Sequence, residues 1–98
     1  MDDQLNDITR QLAEGKLKIK AVALVTYSLE NLDHSKKTLF GYALKGRTGQ
    51  KGFLDTLKGE PVGRNNVLLP LDKLDELKEF FASWQVDFKV RRLVEIEE

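Results

Sequence analysis

The chain has 98 residues, 41% apolar and 33% charged, with sixteen basic and sixteen acidic side chains and no cysteine. That is one domain's length, with a modest core under a heavily charged surface. The missing cysteines exclude disulfides, thiolate zinc sites, thiol redox chemistry and cysteine nucleophiles, and they make a reducing cytoplasm the expected setting.

Residues 4–14 carry Leu5, Ile8 and Leu12 at helical spacing, and Gly15 stands where a left-handed cap belongs. So short a helix is marginal alone, which makes residues 1–15 a docking or oligomerisation element within the single domain 1–98. From Leu17 to Leu29 the period becomes two. Ile19, Ala21, Ala23, Val25, Tyr27 and Leu29 share a face, while Lys18, Lys20, Val22, Leu24, Thr26 and Ser28 share the other. A strand apolar on both faces at its middle is central in its sheet. Lys36–Lys45 reads as a second strand, with Phe40, Tyr42 and Leu44 on one face, closing an antiparallel hairpin through the turn 31–35.

Residues 46–52 hold three glycines and read as a loop, and Phe53–Leu57 reads as a short strand rather than a helical turn. After a turn at 59–63, Asn66–Leu69 predicts a strand that stops at Pro70. Residues 71–84 predict a helix burying Leu74, Leu77, Phe81 and Trp84, with Asp72, Asp75 and Glu76 favouring its N-terminal dipole. Val86, Phe88, Val90, Val94 and Ile96 then alternate in a last strand. Arg92 breaks that alternation. A bulge, a position beyond the covering helices, or an inward pair with Glu14 or Asp72 would each accommodate it. The fold class is α+β, in the order α-β-β-(β)-β-α-β: an antiparallel or mixed sheet of four to five strands with helices on one face.

Catalytic patterns are weak. Residues 41–48 approximate the phosphate-loop spacing, with Arg47 in the lysine position, but the first glycine falls inside a predicted strand and no long helix follows. His34 lies beside Glu30 and Asp33, where ordinary turn composition accounts for all three. Ser28, Ser35 and Ser83 have no evident base. The expectation is a protein that is not an enzyme and uses no metal or cofactor.

Charge is distributed unevenly. Residues 36–64 hold seven basic side chains against two acidic ones, together with six of the seven glycines. On the predicted faces, Lys18, Lys20, Lys37, Lys45, Lys89 and Arg91 fall opposite the helices, around an apolar floor of Val22, Leu24, Gly41, Ala43 and Leu93. Cations around an apolar floor suit unstacked bases and their phosphates, and suit a dimer interface as well.

Lys37–Lys45, the basic turn 46–52, Phe53–Leu57 and Gly63–Pro70 running into Leu74, Leu77 and Phe80–Phe81 resemble single-strand-binding domains of the transcriptional positive coactivator, Pur and whirly type. The resemblance covers residues 37–81. It implies four strands before a helix, with nucleic acid on the sheet and contact roles for Lys45, Arg47, Lys51, Phe53 and Arg64. The reading is single-stranded DNA or RNA binding by a homodimer, through Lys18, Lys20, Lys37, Lys45, Arg47, Lys51, Phe53, Arg64, Lys89 and Arg91. A protein partner docked on the sheet face or the N-terminal helix is the alternative. The longest apolar run is Ala21–Val25 and the opening Met1-Asp2-Asp3-Gln4 is acidic, so neither a membrane span nor a secretory signal is expected.

Overall fold

Strand β1 (Lys18–Ser28) organises the molecule, because its alternating apolar residues find partners on both sides. The computed structural model describes residues 7, 9–10, 14–15 and 18–97. Most of the helix expected at 4–14, including Leu5, Ile8 and Leu12, lies outside the described residues. Within that segment the Glu14 N–H donates to the Arg10 carbonyl, and Gly15 takes the left-handed φ of +72° that its capping position predicts.

Between Ser28 and Gly46 the chain departs from expectation. Residues 36–45 are not a strand. They belong to helix α1 (His34–Lys45), whose N-terminus is capped by the Asp33 carboxylate accepting from the Lys36 N–H at 2.8 Å. Gly46 ends the helix at φ +80°, its N–H donating to the Tyr42 carbonyl. Phe40 and Leu44, one turn apart, are buried. Two-residue strands β2 (Gly46–Arg47) and β3 (Gln50–Lys51) then form a hairpin across Thr48 and Gly49. Phe53–Leu57 is corrected as well: α2 (Phe53–Thr56) is a helical turn, held by the Asp55 carboxylate accepting from the Gly52 N–H at 3.0 Å.

Strand β4 (Glu60–Pro61) lines the edge of β5 (Asn66–Pro70), and Pro70 leads through a 3-10 turn at Leu71–Lys73 into α3 (Leu74–Ser83). Strand β6 (Asp87–Glu97) completes an antiparallel four-stranded sheet in the order β4-β5-β1-β6. The fold class is α+β. The element order differs from expectation because one predicted strand is α1 and another is α2.

Ala23, Val25, Tyr27, Val67 and Leu69 form the covered face of the sheet, against Phe40 and Leu44 of α1, Leu54 of α2, and Leu74, Leu77 and Phe81 of α3. Phe81 is central, its ring 5.4 Å from Tyr27, 5.9 Å from Phe40 and 5.3 Å from Phe88. Trp84 is only half-buried and stands edge-on to Phe40 at 5.6 Å. The β1–β6 register runs unbroken from Lys18–Glu97 to Ser28–Asp87, which excludes a bulge at Arg92. Arg92 is exposed on the covered side, opposite Ala23, and Ile19, Val94 and Ile96 beyond it are exposed as well. The ribbon outruns α1–α3, and Arg92 is exposed to water. Among the described residues no helix is long and apolar enough to cross a membrane.

Candidate nucleic-acid interface

Residues opposite one another in an antiparallel pair share a face, so the register fixes what the side of the sheet away from α1–α3 presents. Its middle is apolar, with Val22 opposite Leu93 and Pro70, and Leu24 opposite Leu68 and Arg91. Its charges cancel. Lys18 and Lys20 lie opposite Glu97 and Glu95, and the Lys20 Nζ is 3.6 Å from Glu95 Oε2. Lys89 and Arg91 share this face with Asp87, and Glu60 joins it opposite Leu68. Four cations thus face four carboxylates, so the expected cationic rim is not formed there. Nor do Lys37 and Lys45 belong to this face, since α1 packs on the other side.

The positive charge gathers instead around the end of α1. Helical periodicity turns Ser35, Thr38, Leu39, Tyr42 and Lys45 away from buried Phe40 and Leu44, and all five are exposed. Leu39 is 57% and Tyr42 45% exposed, so both stand at the surface beside Lys45. From β2, the Arg47 guanidinium carbon sits 5.0 Å from the centroid of the Tyr42 ring, a cation–π contact at the surface. Because Arg47 pairs with Gln50 and Gly46 with Lys51, Arg47 and Lys51 leave the hairpin on opposite faces. The hairpin is cationic on both sides, and only Arg47 shares a surface with Tyr42.

This geometry depends on two glycines. A Cβ on Gly52 would run into the Gly46 nitrogen and the Leu44 carbonyl, and one on Gly46 would meet the Gln50 carbonyl. The chain therefore crosses itself backbone to backbone at the foot of the hairpin.

Phe53 stands near the loop as expected, but it is half-buried and packs against Phe80. Lys37 and Arg64 meet elsewhere, lining a cleft of about 390 Å³ with Tyr27, Ser28, Leu29, Glu30 and Asn65. The sequence reading missed Tyr42, counting it as core on a strand.

Among the described residues no three His, Cys, Asp or Glu side chains gather as metal ligands. Asp33, the carboxylate nearest His34 in sequence, is occupied as the α1 cap. Gly41, the first glycine of the phosphate-loop approximation, lies inside α1. The likeness to single-strand-binding domains loses two of its strands, since Lys37–Lys45 and Phe53–Thr56 are helical. Comparison with known families, curated proteins and solved structures found no match to this chain.

Proposed function

We propose that this chain is a non-catalytic single-stranded nucleic-acid-binding protein whose contact surface is the end of α1 and the β2–β3 hairpin. The observation that supports it is the exposed Tyr42 ring carrying Arg47 above it, with Lys45 on the same helix face. A base gains by stacking on an open aromatic ring, and its phosphate gains by meeting a guanidinium or ammonium. Neither contact needs a particular sequence, which suits DNA or RNA in an unpaired state. The sheet face away from α1–α3, being neutral, has no part in this reading. Its apolar floor is what favours the competing reading, a module that docks a partner protein.

A labelled single-stranded oligonucleotide titrated in anisotropy at low and moderate salt tests the reading. Affinity should fall by roughly 0.7 log unit per neutralised phosphate for each tenfold rise in salt. Tyr42→Ala should cost ~1–3 kcal/mol of binding, and the Arg47→Ala/Lys45→Ala pair should flatten the salt dependence. The Lys20→Ala/Lys89→Ala pair on the sheet should leave affinity unchanged. No binding at low salt, or loss confined to the sheet variants, would reject the α1–hairpin surface.

A further inference from the structure

The two edges of the sheet are treated very differently. On one side β4 is only two residues long, and one of them is Pro61, which has no N–H to offer a neighbouring strand. On the other side β6 runs for eleven residues, and among the described residues nothing pairs with its outer edge. Leu93, Val94 and Ile96 along it are exposed, at 42%, 62% and 39%. A bare edge of that length is a template for another strand.

The charge sequence of β6 specifies which strand. After the opening Asp87, basic Lys89, Arg91 and Arg92 occupy its first half, and acidic Glu95 and Glu97 its second. An antiparallel copy of the same strand brings basic half to acidic half. Continuity of both sheet faces requires residues of like parity to oppose, so only a few registers exist. Centred on Leu93, the pairing sets Lys89 against the partner's Glu97, Arg91 against the partner's Glu95 and Leu93 against the partner's Leu93. On the other face, Val90 meets the partner's Ile96 and Arg92 meets the partner's Val94. On the neutral face Lys89, Arg91, Glu95 and Glu97 each meet an opposite charge and Leu93 meets its own copy, while on the other face Val94 lies against the aliphatic stem of the partner's Arg92.

Neighbouring registers fail. Centring on Arg92 keeps Lys89 against the partner's Glu95, but it opposes two guanidiniums and sets Asp87 against the partner's Glu97 at both ends. Centring on Arg91 again opposes like charges, and centring on Val94 shortens the overlap and sets Glu95 against the partner's Leu93. We infer that the outer edge of β6 is a self-pairing surface. A second copy of this chain adds to it antiparallel about a two-fold axis at Leu93, making one eight-stranded sheet. Arg92 then has a role its exposure alone leaves open: it penalises the slipped register centred on itself.

The absence of cysteine gives a direct test on the full chain. Opposed residues in an antiparallel pair have Cα atoms ~4.5–5.5 Å apart, within disulfide reach. Leu93→Cys should therefore crosslink to its own copy under mild oxidation. Arg91→Cys should not, because the two copies of position 91 would be four residues out of register, roughly 13 Å apart. In sedimentation equilibrium, Arg91→Glu should raise the dimer dissociation constant about tenfold or more, since two attractive cross-strand pairs become repulsive. The double variant Arg91→Glu/Glu95→Arg should restore it, with thermal melts confirming that each variant folds. A wild-type chain monomeric up to millimolar concentration would overturn the inference. So would a dimer indifferent to Arg91→Glu, or equal crosslinking at positions 91 and 93.

Discussion

The Phe53 ring lies 4.7 Å from that of Phe80, inclined at 46°, and this contact ties α2 to α3. A half-buried side chain in that position contributes to packing. Phe53→Ala should therefore cost ~1–3 kcal/mol of stability and leave oligonucleotide affinity unchanged. Denaturant unfolding beside an anisotropy titration measures both. A variant of native stability and weakened binding would reverse the assignments of Phe53 and Tyr42.

Phe81 has no exposed surface, and it touches Tyr27 of β1, Phe40 of α1 and Phe88 of β6. Its removal leaves a cavity that three elements cannot close together. Phe81→Ala should cost ~3–5 kcal/mol, a large share of a small domain's stability. A midpoint shift with an unchanged denaturant slope would show that the loss is in stability alone. A near-neutral result would mean that Phe81 does not join the three elements.

Gly52 and Gly49 separate crowding from backbone strain within one hairpin. An added Cβ at Gly52 meets only backbone, which cannot give, whereas at Gly49 it meets nothing and only the φ of +81° resists. Gly52→Ala should cost ~2 kcal/mol or more, and Gly49→Ala roughly 1 kcal/mol. Gly52→Ala should also weaken oligonucleotide binding without removing a charge, because Arg47 would leave its place over Tyr42. Equal stability losses at the two positions would contradict the crossing at the foot of the hairpin.

Burial raises the Tyr27 hydroxyl above its ordinary value, because the folded interior disfavours the phenolate. The unfolded chain then loses this proton first, so the folded state holds more protons in the interval between the two values. Stability from this group is complete below pH ~10 and declines as pH rises through the folded-state value. Tyr27→Phe should flatten that alkaline decline in a series of melts. The same slope in both proteins would assign it to another group.

Long-range order was legible where a single period fitted. β1, β5, α3 and β6 were each readable from alternation or from three-and-four spacing, and the central position of β1 followed from its two apolar faces. The failure at α1 has a specific cause. Phe40, Tyr42 and Leu44 satisfy a strand, while Phe40 and Leu44 alone satisfy a helix, and a twelve-residue segment cannot separate the two periods. The deciding signal was at the ends, with Asp33 placed to cap and Gly46 placed to terminate. Leu39 and Tyr42 hid the helix because they are apolar residues on its solvent side, and for that reason they now mark the candidate site. The cancellation of charge on the sheet was not readable, because it depends on a register set by residues far apart in sequence.

The long ribbon governs how the chain must acquire its structure. Ser28 meets Asp87 and Lys18 meets Glu97, so every β1–β6 pair closes a loop of more than half the chain. During synthesis the central strand emerges before either neighbour exists, and it must wait with its apolar faces unpaired. The α1 and α2 turns can form from local contacts in that interval, whereas the sheet cannot. Folding should accordingly be slow for a domain of this size, with its rate set by loop closure, and the waiting strand is the segment most exposed to aggregation before the ribbon zips.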